Sequence, residues 1–161
     1  MTGASYLLAQ VFPVAFAQLP VHMDTPAARA MLLAIALQES RCTYRRQIRG
    51  PARGFWQFEQ GGGVKGVLKH PETAAFAMAT MQAFQYLDTS VDTAYTAIEH
   101  HDPLACVFAR LLLWTVPAAL PTRQNPDESW RHYLEAWRPG KPHRQTWDGF
   151  YAEAWLLVTS L

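Results

Sequence analysis

Glu39 is the side chain in this sequence whose setting best suits chemistry. It closes an apolar segment, "LLAIALQES", and an arginine-laden, glycine-punctuated loop, "RCTYRRQIRGPARGFWQFEQGGG", follows at once. An acid in the last turn of a buried helix is poorly placed for stability, because the helix dipole is negative there and disfavours a carboxylate by a few tenths to about 1 kcal/mol. Apolar neighbours act in the same direction and raise the carboxyl pKa. Both effects suit a general acid that must hold its proton near neutral pH.

The arginines oppose this. Arg41, Arg45, Arg46, Arg49 and Arg53 lie between Glu39 and Glu59 with no acid among them. A guanidinium close to Glu39 would pull its pKa down, so a working acid requires that most of these side chains point away, toward substrate carboxylates for example. The residues alone leave two readings open: Glu39 as a general acid, or Glu39 as the ion-pair partner of Arg41, Arg45 or Arg46.

Glu39-Ser40, a variable loop and then Gly50-Pro51-Ala52-Arg53-Gly54-Phe55-Trp56-Gln57 resemble the soluble lytic transglycosylase and goose-type lysozyme families. Those families carry a Glu-Ser pair at a helix end and then a Gly-Ala-x-Gly-Leu-Met-Gln loop at a similar spacing. The resemblance implies a lysozyme-like fold, with Glu39 as catalytic acid/base and Gln57 lining a sugar cleft. Ser40, Gly54, Phe55, Trp56, Phe58, Glu59 and Tyr95 complete the substrate-binding set on this reading, with Trp56 and Phe58 as sugar-stacking residues. Gly54 permits the tight backbone course that brings the loop over the cleft. The family's later Ala-Tyr-Asn-Ala-Gly motif has no good counterpart: Ala94-Tyr95-Thr96-Ala97 keeps the frame but lacks Asn and Gly, and Trp56 replaces the usual Met.

The implied reaction is cleavage of the peptidoglycan bond between N-acetylmuramic acid and N-acetylglucosamine. The substrate's acetamido group can stabilise the oxocarbenium-like centre, so one protein carboxylate suffices. Attack by the sugar's own C6 hydroxyl gives a 1,6-anhydro product, and attack by water gives hydrolysis. Two alternatives stay open: a hydrolytic lysozyme with Glu59 as second carboxylate, and a non-catalytic lysozyme-fold phage structural or cell-wall-binding protein.

Elements that position these residues follow from caps and periodicity. Helices are predicted from about Ser5 to Gln18, from the Asp24/Thr25 cap with Pro26 to Ser40, from Val64 to His70, from Pro71 to Leu87 and from about Asp92 to His100. Further helices run from Asp102-Pro103 to Trp114, from Asn125-Pro126 to Trp137 and from Trp147 to Leu161. "LACVFARLLLW" is apolar on nearly all sides and is expected to be the central buried helix. No alternating strand pattern and no repeat occurs. The expectation is one compact all-α, lysozyme-like domain of about seven or eight helices spanning residues 1–161.

Composition narrows the partners. Of 161 residues half are hydrophobic, and the net charge of +1 gives no global signature of a nucleic-acid binder. The arginine run is the one feature that suits nucleic acid or another anionic partner. Cys42 and Cys106 form no disulfide framework or zinc set and are read as buried thiols of a reducing compartment. "EHHD", residues 99–102, has ligand-type atoms, but neighbouring helical residues diverge by about 100°, so no metal is expected and no cofactor. "GGGVKG" follows no strand and is read as a hinge at the cleft rim. "SYLLAQVFPVAFAQ" lacks the basic segment of an export signal and is read as a core helix. The expectation is a protein made in the cytoplasm and associated with a virion or released to the cell wall, with peptidoglycan strands, not membrane or nucleic acid, as its partner.

Overall fold

Prolines and hydroxyl caps decide where the helices of this chain begin. The computed structural model describes residues 1–160, and those residues form eight helices and no strand. The first is a continuous run made of α1 (Gly3–Tyr6), a π turn (Leu7–Val11) and α2 (Phe12–Phe16). Thr2 caps it by accepting from the Ser5 amide. The π turn ends two residues before Pro13, whose ring and missing N–H would break a regular ladder. Leu7, Leu8, Val11, Phe12, Ala15 and Phe16 are all buried, so this segment is core, as its sequence suggests.

α3 (Pro26–Ser40) starts on Thr25, whose hydroxyl accepts from the Ala28 amide at 3.1 Å, with Pro26 in the first turn. Buried on almost every side, it packs most extensively along α9 (Arg144–Thr159). Gln38 fixes that pairing: its Nε2 donates to the His143 carbonyl, and its Oε1 accepts from Thr146. α9 opens three residues before the expected Trp147, and Leu161 lies outside the described residues. α7 (Asp102–Trp114) runs through the middle, buried from Leu104 to Leu113 and touching α2, α3, α4 (Lys65–Lys69), α5 (Ala74–Ala83), α6 (Val91–Ile98) and α8 (Pro126–Trp137). It is the central helix that its composition implies.

α5 is shorter than expected. Pro71-Glu72-Thr73 forms a turn in which the buried Thr73 hydroxyl donates to the Val67 carbonyl, so the helix begins only at Ala74. Gln85, at φ 66°, lies just beyond its end. Cys42 and Cys106 are buried free thiols, and burial pushes the Cys42 thiol up to about 12.

The 41–63 loop carries the site. It folds on itself through two isolated antiparallel bridges, Arg46 to Arg53 and Arg53 to Phe58. Ser40 Oγ donates to the Phe55 carbonyl at 2.7 Å, and Trp56 Nε1 donates to the Leu32 carbonyl at 2.8 Å, so the loop is pinned to α3. Gly54 turns the chain at φ +74°, and a Cβ there would stand 2.9 Å from the Ile98 carbonyl oxygen and 3.0 Å from its Cγ2. Only glycine satisfies both conditions.

Gly54→Ala is therefore expected to destabilise the protein by about 1–3 kcal/mol in urea unfolding. Gly66→Ala, inside α4 and with open space around its Cβ position, is the control: it is expected to be neutral or mildly stabilising. Equal behaviour of the two variants would mean that the loop does not cross Ile98 as described.

Candidate active site

Glu39 is the penultimate residue of α3, half-buried at the wall of a cleft of about 860 Å³. Its Oε1 accepts a hydrogen bond of 2.5 Å from the hydroxyl of Tyr133, which projects from α8. The Tyr133 ring is locked by stacking on Trp147, with ring centres 4.8 Å apart and planes within 13°. Burial pushes the Glu39 carboxyl up from the ordinary 4.5 to about 7, and the Tyr133 hydrogen bond pulls it partly back. Burial raises the Tyr133 phenol as well, with the neighbouring Glu39 adding to the effect, so that hydroxyl stays a donor.

All five arginines of the run leave Glu39 without an ion pair. Arg45 grips Asp102 with two bonds of 2.8 and 2.7 Å and lies over the Phe55 ring. Arg46 grips Glu99 with two bonds of 2.8 and 2.9 Å, and Arg53 reaches the same carboxylate at 3.0 Å. Arg41 lies over the Phe150 ring, and Arg49 is exposed. The arrangement differs from both arginine expectations: the side chains neither pair with Glu39 nor wait for substrate carboxylates. Three of the five neutralise two acids of this chain, Glu99 and Asp102, both in "EHHD".

Of the residues assigned to the site from sequence, Gln57, Phe58 and Glu59 line the cleft with Glu39. Gln57, at φ 50°, has its amide tied to the Gly54 carbonyl at 2.8 Å, and Phe58, 2% exposed with its ring packed on Phe108 and Trp137, has no open face, which corrects its assignment as a sugar-stacking residue. The triple glycine forms the cleft rim in the Gln60–Val64 turn, which kinks at Gly62 (φ −98°, ψ −109°). Trp56 does not face the cleft. It is 0% exposed, sealed into the core under α3, which corrects its assignment as a sugar-stacking residue. Ser40 and Phe55 are likewise buried, and their contacts, with that of Gly54, hold the loop without lining the cleft. Tyr95 lies outside the cleft lining, with its hydroxyl on the Pro51 carbonyl at 2.5 Å and its ring under Arg53.

Two residues outside that set join the site, Tyr133 and Trp137. Their shared helical face suggests either sugar stacking or core, and core is the commoner outcome. Here each does two things: Tyr133 stacks in the core while its hydroxyl reaches Glu39, and half-buried Trp137 donates Nε1 to the Trp56 carbonyl at 2.9 Å while lining the cleft. Beyond Trp137 the α8–α9 turn adds Arg138 and Lys141 to the opposite wall.

The arrangement can deliver a proton near neutral pH and stabilise the carboxylate left behind. Its burial also has a measurable consequence for folding. The folded pKa of Glu39 lies above its unfolded value, so the folded state binds the extra proton between about 4.5 and 7 and loses stability as pH rises through that window. Glu39→Gln removes the titration. It is expected to match wild type near pH 4 and to exceed it by up to roughly 3 kcal/mol above pH 8, taking about 1.36 kcal/mol per pH unit. Paired urea titrations across that range check this; a pH-independent difference would contradict the buried carboxyl. No family model, no curated protein and no solved structure matches this chain.

Proposed function

We propose that this protein cleaves the N-acetylmuramic acid–N-acetylglucosamine bond of peptidoglycan by the lytic transglycosylase route, with Glu39 as the single acid/base. The observation that carries the reading is the environment of Glu39: one carboxyl held near pKa 7, on the wall of a cleft that can take a sugar chain, with all five neighbouring arginines engaged elsewhere or exposed. The resemblance of Glu39-Ser40 and Gly54-Phe55-Trp56-Gln57 to lytic transglycosylases supports it independently.

At neutral pH about half the molecules hold Glu39 protonated, ready to pass the proton to the glycosidic oxygen as the bond to the muramic acid C1 breaks. The Tyr133 hydroxyl donates to Oε1 and stabilises the carboxylate that forms. The acetamido oxygen of the substrate meets the positive charge at C1, which removes the need for a second protein carboxylate. The same carboxylate then takes the proton of the C6 hydroxyl as its oxygen attacks C1, closing the 1,6-anhydro ring and restoring the acid. Such a protein needs delivery to the wall, as part of a virion or by release from a lysing cell.

Glu59 favours a second reading. It is exposed on the same cleft lining as Glu39, where a carboxylate suits the activation of water. The reaction would then be hydrolysis.

Digestion of purified peptidoglycan, read by mass spectrometry, separates these readings. Wild type is expected to release 1,6-anhydro-muropeptides and Glu39→Gln to release none. Reducing-end products, lost in Glu59→Gln, would instead establish the hydrolase. No products from several walls by a folded protein would leave only a binding module.

A pH profile gives the second check. kcat/KM is expected to fall as pH rises through about 7, because the acid form of Glu39 is lost there. Tyr133→Phe removes a hydrogen bond that favours the charged form, so the midpoint is expected to move upward while the rate drops roughly tenfold or more. A midpoint unchanged in Tyr133→Phe would detach Tyr133 from the acid.

A further inference from the structure

A second cavity lies across α7 from the cleft. Leu112 of that helix and Thr115 at its C-cap face the Glu39 side, whereas Arg110, Leu113 and Trp114 line the other cavity, of about 700 Å³. Positions 110, 113 and 114 share one helical face, about 200° round from 112.

Arg110 is the unusual member. It is 3% exposed, and its one hydrogen bond runs from Nε to the Met23 carbonyl at 2.9 Å. Nη1 is buried without a partner. No carboxylate among the described residues pairs with it. Asp24, the acid that acts on it, is gripped by Arg29 at 2.7 and 2.8 Å. Cys106 on its own helix is a buried thiol raised by desolvation, and His132 of α8 is a buried imidazole that burial holds toward its neutral form. Burial lowers the Arg110 guanidinium to about 10, still a cation at neutral pH. A buried guanidinium without a counter-charge is costly, and the Trp114 ring 5.2 Å away offsets only part of that cost.

We infer that this pocket binds a small organic monocarboxylate, its carboxylate meeting the Arg110 guanidinium where it lines the cavity and its apolar body packing on Trp114. The lining supports each half of that ligand. A planar carboxylate matches the guanidinium fork. Thr25, whose oxygen accepts the Ala28 amide, keeps a hydroxyl proton to donate, and His22 lies against Trp114 at the mouth. Leu113, Val116 and Leu120 make the rest apolar. One buried cation with a single rim acid, Glu72, suits a monoanion and disfavours polyanions such as nucleic acid or polyphosphate. The inference is independent of the glycosidase reading, because none of these residues lines the Glu39 cleft.

The test uses benzoate as probe, with its neutral isostere benzamide and inorganic phosphate as controls, on the full chain in a carboxylate-free buffer. Side-chain 15N NMR reads the Arg110 Nε–H and the Trp114 indole N–H. Benzoate is expected to shift both signals saturably in the millimolar range, on the order of what a fragment with one ion pair attains. Benzamide and phosphate are expected to shift neither. Arg110→Met is expected to abolish the response of Trp114. Ala118→Trp, a bulky change at an exposed lining position that leaves the core alone, is expected to weaken binding at least tenfold and serves if Arg110→Met fails to fold. Glu72→Gln is expected to tighten binding. A benzoate response absent in wild type, equalled by benzamide, or unchanged in Ala118→Trp would overturn the inference.

Discussion

Three guanidinium–carboxylate pairs hold the 41–63 segment in place, and the state of Glu39 depends on them. That segment has almost no repetitive structure of its own, so its course is set by what its side chains grip. Arg45 takes Asp102, the first residue of α7, where a carboxylate is favoured by the helix N-terminus, and Tyr6 donates to the same carboxylate at 2.9 Å. Arg46 and Arg53 share Glu99 just before it. The exposed Arg46 pair adds little stability by itself. Its larger effect is electrostatic: each guanidinium committed to the α6–α7 junction is one fewer beside Glu39. A guanidinium brought beside Glu39 would pull its pKa down. Loop anchorage and the electrostatics around Glu39 are thus one arrangement.

The helices were largely legible because their signals are local. Thr25 with Pro26, Asp102 with Pro103 and Asn125 with Pro126 each mark a start within a residue or so, and an all-apolar stretch identifies α7 as central. The legible part ended where geometry became tertiary. Nothing near Pro71 announces that Thr73 will turn back onto Val67 and delay α5. Inside the loop, side-chain direction follows no period: Gly54 and Gln57 both take positive φ, and between them the chain sends Trp56 inward and Gln57 to the cleft. A tryptophan beside a sugar-type motif reads as a stacking residue until that turn is known. Glu39 itself was legible, because a helix-terminal acid in apolar company is anomalous in one dimension already.

Tyr133 marks the same boundary from the other side. The sequence pattern around Tyr95 retains the frame in which lytic transglycosylases carry a supporting tyrosine, yet Tyr95 braces the loop through Pro51. The phenol beside Glu39 comes from α8, 94 positions along the chain. A hydrogen bond asks only that a rigid donor stand within reach of the carboxylate, and stacking on Trp147 supplies the rigidity from whichever helix is near. Chemistry of this kind constrains the distance between two atoms and leaves their separation in sequence free.

Burial has opposite consequences on the two sides of α7. A carboxyl moved out of water can shed its charge by keeping a proton, and Glu39 does so at modest cost, turning desolvation into a proton available near neutral pH. A guanidinium has no such escape, since even a pKa lowered to about 10 leaves Arg110 charged. It can lower its free energy only by acquiring a partner, and the chain supplies one carbonyl and one indole face but no anion. The same physical penalty therefore leaves Glu39 holding a proton and Arg110 holding an uncompensated charge, on opposite sides of α7.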